Sequence, residues 1–137
     1  MWAEFLWRPV SVLVGQPLVE PWTALNDSGD VTLFYAGSAA LELHRTETSS
    51  YRDNLAAPAP HLWVALRPTI SGPPYELLAV TADPAEGEGF SDAGNNLVEP
   101  VPMPSSVAEV VRQFLAQHYV ERPFVKRERD RDKRSLG

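Results

Sequence analysis

The 137-residue chain contains no cysteine. That excludes disulfides, thiolate nucleophiles and every cysteine-based zinc or iron–sulfur site. It is also the usage a reducing compartment permits. Lysine is missing as well until Lys126, so no lysine-bearing phosphate loop can lie early in the chain. Long apolar runs are absent. The longest charge-free stretch, Asn54 to Leu66, holds two prolines, and a spanning helix needs about twenty apolar residues. At the start, "MWAEFLWRPV", Glu4 and Arg8 break any signal-like run. The expectation is a soluble, cytoplasmic protein with no membrane segment. The three histidines, His44, His61 and His118, lie far apart and form no H-x-x-H or H-E-x-x-H pattern. Neither a metal nor any other cofactor is expected.

What is present suffices for one core. Hydrophobic residues make up 44% of the chain and charged residues 22%, and the length fits a single domain. Charge is uneven. Lys126 to Arg134, "KRERDRDKR", carries six basic and three acidic residues, whereas the remainder carries six basic and fifteen acidic. Such an acidic body repels phosphate backbones, whose neutralisation dominates nucleic-acid affinity, so nucleic acid is not expected as a partner. The expected organisation is a single α+β domain over residues 1–125, followed by a charged, disordered tail over 126–137.

Alternation at period two predicts strands. "WRPVSVLVG" sets Val10, Val12 and Val14 on one face. "EPWTALNDSGD" predicts a short helix opened by Pro21 and closed by a turn. In "VTLFYAGSAALELH", Gly37-Ser38 between two apolar arms predicts a type II′ hairpin. "HLWVALRP" and "YELLAVTA" predict a second hairpin around "TISGPP". "DPAEGEGFSDAGNN" reads as a loop, and its acids would repel phosphate. "NLVEPVPMP" reads as an extended strand that prolines confine to an edge. Finally "SSVAEVVRQFLAQHYV" predicts an amphipathic helix, with a Ser106–Glu109 capping box and Val107, Val110, Val111, Phe114, Leu115 and Tyr119 on its apolar stripe. The sum is α+β: a mainly antiparallel sheet or partly closed barrel of about five to six strands, with a short mid-chain helix and a C-terminal amphipathic helix.

The stretch "LELHRTETSSYRDNL", Leu41 to Leu55, concentrates chemistry. On a strand, Glu42 and His44 share one face about 7 Å apart. Thr46 is the expected N-cap for the helix that follows, Glu47 favours its positive end, and Tyr51 and Leu55 face inward. Two readings stand side by side. In one, this is a capped strand–helix junction whose charges pair. In the other, His44, Arg45, Glu47 and Tyr51 line a polar pocket in which His44 acts as acid or base, or Arg45 holds an anion. No catalytic residue is assigned, since catalysis needs a base, its orienter and a reacting group together.

"WRPVSVLVG", "LELHRTETSSYRDNL", "LWVALRP", "LVEPVPMP" and "VERPFVKRERD", in this order, resemble the proteobacterial domain-of-unknown-function family 3305. Its members are small proteins often encoded near genes for molybdenum-dependent formate dehydrogenase. The matching positions in the central motif are Glu42, Leu43, His44, Arg45, Glu47, Thr48, Tyr51, Asn54 and Leu55, while Ser49-Ser50 replaces an expected acidic residue. The resemblance implies no catalytic residues. It points to a non-enzymatic accessory or protein-interaction protein, with a formate dehydrogenase subunit or maturation factor as partner. The expected working surface is the sheet near Trp63 together with the basic tail. The alternative is a small-molecule or anion-binding domain using the His44–Arg45–Glu47–Tyr51 junction. Oligomeric state is left open.

Overall fold

The computed structural model describes residues 6–119 apart from Gln16 and Ala93, so the expected charged tail lies outside the described residues. The fold is α+β, with two antiparallel sheets of two and three strands and three α-helices. Among the described residues there are five strands, and no barrel closes.

The three-stranded sheet organises the molecule. β3 (His61–Pro68) lies between β4 (Tyr75–Thr81) and β5 (Leu97–Pro102), antiparallel to both. β3 and β4 form the hairpin expected around "TISGPP". A register irregularity at Ala65/Leu66 interrupts their pairing, and Ala65 and Leu66 are both buried. β5 lies at an edge, as its prolines require. Met103 donates its backbone N–H to Pro60 O at 3.0 Å. Alternate N–H groups of a strand point the same way, so odd-numbered residues of β5 donate toward β3 and the nitrogens of Pro100 and Pro102 face outward. Two donors are thereby missing from the free edge, which discourages further strand addition.

One face of the sheet carries the core. Leu62, Val64 and Leu66 of β3 and Val101 of β5 pack with Tyr51 and Val111. Tyr51 belongs to helix α1 (Thr48–Ala56) and Val111 to helix α3 (Ser105–His118). On α3 the stripe is narrower than expected. Val107, Val111, Phe114 and Leu115 pack inward, while Val110 is exposed. The expected capping box is not formed: Pro104 is the N-cap, and Glu109 pairs with Arg112 at 2.9 Å instead.

"DPAEGEGFS", expected as loop, is helix α2 (Pro84–Ser91). Its start signal is physical. Asp83 is the N-cap and accepts from Ala85 N at 3.0 Å, and Pro84 occupies the first turn. Glu86 accepts from the Thr81 hydroxyl at 2.6 Å, and that hydroxyl accepts from Asp83 N at 3.1 Å. The two glycines conceal the helix because glycine lowers intrinsic propensity. Gly87 has a reason to be there: a Cβ on it would stand 2.5 Å from Trp63 Cγ. Trp63 alternates with the core-facing Leu62 and Val64, so α2 covers the second face of β3.

The N-terminal third departs most from expectation. Ala24–Asp27, expected as the end of a short helix and the start of its closing turn, forms β1, which pairs with β2 (Thr32–Phe34) through the turn at Ser28–Val31. Asp27 Oδ1 accepts from Gly29 N at 3.1 Å and from Thr32 Oγ1 at 3.3 Å. This side-chain-built turn outcompetes a helix. The hairpin expected at Gly37-Ser38 does not form, although Gly37 does take a positive φ of 132°. β2 is already paired with β1, and Leu41 and Leu43 of the second arm are drawn onto the main core. The expected strand at Val10–Val14 is unpaired. Val12 packs on the core while Val10 and Val14 are exposed. Trp7, Trp22 and Phe34 form a satellite cluster with ring centroids 5.4–5.7 Å apart.

Candidate functional site

The junction at residues 41–55 is not strand followed by helix. Residues 41–44 form no strand, and a single 3-10 turn (Arg45–Glu47) runs into α1. Thr46 does not cap the helix. Its hydroxyl donates to Glu47 Oε2 at 3.3 Å, and Glu47 takes the N-cap position with no side-chain cap bond. The Thr48 hydroxyl donates back to Arg45 O at 3.4 Å.

Of the four residues singled out, the structure joins two. Tyr51, only 1% exposed, accepts a hydrogen bond from the His44 backbone N–H at 2.9 Å. Burial pushes the Tyr51 hydroxyl pKa above its ordinary value. The His44 bond lowers it, and the nearby acids Asp83, Glu86 and Glu47 raise it further. Tyr51 is therefore neutral and acts as an anchor that ties the incoming chain to α1. The imidazole of His44 points elsewhere, with Nε2 3.9 Å from Glu42 Oε1, both side chains being more than half exposed. Arg45 is exposed and makes no ion pair among the described residues. Glu47 is half-buried. Sequence alternation thus pairs Glu42 with His44 correctly, although the backbone between them is no strand.

A residue matched to the family motif but given no role proves central. Asn54, buried on α1, donates to His61 O at 2.8 Å and to Ala82 O at 3.0 Å, and accepts from His61 N at 3.0 Å. One amide thus clamps the entry to β3 to the exit from β4. The clue in the sequence is an asparagine at the inward i+3 position from Tyr51, where a buried amide must find partners.

The Trp63 ring, placed on the expected working surface, is half-buried, with α2 lying against it through Gly87. Exposed apolar surface lies elsewhere. Among the described residues, nine of the eleven exposed large aliphatic side chains fall between Leu6 and Leu33. Leu13 is 83% exposed, Val14 65% and Val10 47%. No group of three or more potential metal-ligating residues gathers among the described residues. No helix among them is long and apolar enough to cross a membrane.

The family model described as a protein of unknown function (DUF3305) matches residues 1–128. No curated protein and no solved structure matches the chain.

Proposed function

The chain belongs to the protein family of unknown function DUF3305, and we propose that it works as a non-enzymatic accessory protein that binds another protein. The observation that carries this reading is the concentration of exposed aliphatic side chains within residues 6–33 on a molecule whose main core is otherwise well covered. Exposed apolar surface on a small domain marks interaction sites. The working surface is this N-terminal region rather than the sheet around Trp63. The partner class supported by the family resemblance is a formate dehydrogenase subunit or a maturation factor for that enzyme, in the cytoplasm.

The test is quantitative capture by the tagged full chain in its native host, with Leu13→Asp/Leu18→Asp as comparison. Both leucines are exposed, so the fold should survive. Recovery of a formate dehydrogenase component with the native chain, reduced at least tenfold by the double substitution, is the expected result. Equal recovery with both chains would contradict the assigned surface.

A second reading has one observation in its favour. The Arg45 guanidinium is exposed beside His44 and makes no ion pair among the described residues, so the His44–Arg45–Glu47–Tyr51 junction offers a cation to a small anion. Thermal-shift measurements with formate, molybdate, nucleotides and pterins test it. A ligand at a hundred times its Kd stabilises by about 2.7 kcal/mol, and Arg45→Ala should abolish the shift. No shift with any of them removes this reading.

A further inference from the structure

Between Arg8 and Arg45 the chain has no lysine or arginine but four acidic residues, Glu20, Asp27, Asp30 and Glu42, all of them exposed. Glu42 faces His44, and Glu76 and Glu109 pair with Arg67 and Arg112. Glu20, Asp27 and Asp30 have no cationic partner among the described residues. These three carboxylates stand at the two ends of the β1–β2 ribbon. Glu20 lies at its base, where the Glu20 carbonyl accepts from Thr23 N at 3.2 Å and Trp22 N donates to Tyr35 O. Asp27 and Asp30 lie at its turn, where Ser28 N donates to Val31 O at 2.8 Å. The four residues of β1 between the ends span about 13 Å. Phe34 backs the ribbon onto Trp7 and Trp22, while Leu25, Val31 and Leu33 stay exposed. Among the described residues the other exposed large aliphatic side chains outside the N-terminal region lack such company. Ile70 sits in a stretch, residues 68–75, without any charge, and Val110 lies beside the Glu109–Arg112 pair.

We propose that the partner docks on this ribbon a segment with an aliphatic centre and a lysine or arginine on either side of it. This deepens the interaction reading above and rests on it. Burial of Leu25, Val31 and Leu33 supplies the attraction. The carboxylates select the occupant by charge. A neutral segment laid over them would strip their water and return no partner, which is costly for an ionised group. Anionic lipid headgroups and nucleic-acid phosphates carry the wrong sign. A second copy would bring the same three carboxylates against these.

The experiment is a nuclear magnetic resonance titration of the full chain with two end-capped synthetic peptides, Lys-Leu-Val-Val-Leu-Lys and Glu-Leu-Val-Val-Leu-Glu. The lysine peptide should move the amide signals of residues 20–33, and the glutamate peptide should move none of them. Affinity for the lysine peptide should fall about tenfold in Glu20→Lys/Asp30→Lys. Glu88→Lys/Asp92→Lys, which makes the same change of charge at exposed acids of α2 and its C-cap, should stay within about twofold of the unmodified chain. Far-UV circular dichroism verifies that both variants fold. Equal loss in the two variants, equal response to the two peptides, or no movement at residues 20–33 overturns the proposal. A further variant, Arg127→Gln/Arg129→Gln/Arg131→Gln, should leave those signals in place without peptide. Their movement would make the chain's own basic segment the occupant and overturn a partner segment there. The interaction reading stands or falls separately on capture with Leu13→Asp/Leu18→Asp, so capture without a response to the lysine peptide removes only the basic segment.

Discussion

In the three-stranded sheet, β3 has a strand on either side, helices α1 and α3 over one face and α2 over the other. In the two-stranded sheet, β1 and β2 have only each other, and all but one of their residues are exposed. Both sheets are antiparallel. The difference lies in what covers them. Two strands alone are marginal in water, and this pair relies on the small Trp7–Trp22–Phe34 cluster for support. A core that is covered on both faces has little left to offer a partner. The N-terminal region, by contrast, keeps aliphatic side chains and backbone groups in solvent, and so holds the means to bind.

The contrast can be broken most forcefully at Asn54. Asn54→Ala removes three hydrogen bonds and leaves the buried Ala82 carbonyl and two part-buried backbone groups of His61 without the amide; the expected loss is about 3 kcal/mol, read by urea unfolding. Gly87→Ala comes next. The added methyl meets Trp63 at 2.5 Å, and overpacking of this kind costs about 2 kcal/mol; the thermal midpoint should fall and the Trp63 environment should change by near-UV circular dichroism.

Tyr51→Phe is smaller, about 1 kcal/mol, because it orphans one part-buried N–H, that of His44. It also has a pH signature. The folded Tyr51 pKa lies above the ordinary value of 10.0, so above that pH the unfolded state gives up its proton first. Stability supplied by the neutral hydroxyl is full below about pH 10 and is lost as pH rises through the raised value. The fall of stability at alkaline pH should be shallower in Tyr51→Phe than in the unmodified chain. The smallest effect belongs to Leu13→Asp, a change at an 83% exposed site. It should move stability by no more than about 0.5 kcal/mol while weakening partner capture.

Legibility in the sequence follows the same division. The β3–β4 hairpin, the proline-marked edge strand and the C-terminal helix are readable because alternation, turn residues and helical spacing agree with what the core rewards. Helix α2 is hidden by two glycines, although Asp83, Pro84 and Glu86 carry its start signal. The N-terminal third misleads for a different reason. Val10, Val12 and Val14 alternate as a strand should, but a strand needs a neighbour, and the described residues supply none. Likewise Gly37 takes the positive φ a hairpin would need, yet the following arm is claimed by the core through Leu41 and Leu43. At the junction, His44 and Tyr51 do meet, but through backbone and hydroxyl rather than as two side chains lining one pocket.

Hydrogen exchange on the dilute, monomeric full chain tests the division most directly. Amides of Leu62–Leu66 should exchange only through global unfolding, whereas those of Val10–Val14 should exchange at nearly the rate of an open peptide and slow when a partner chain is added. Protection of Val10–Val14 equal to that of Leu62–Leu66 in the dilute chain would make the N-terminal segment an ordinary part of the fold and contradict its role as the binding surface.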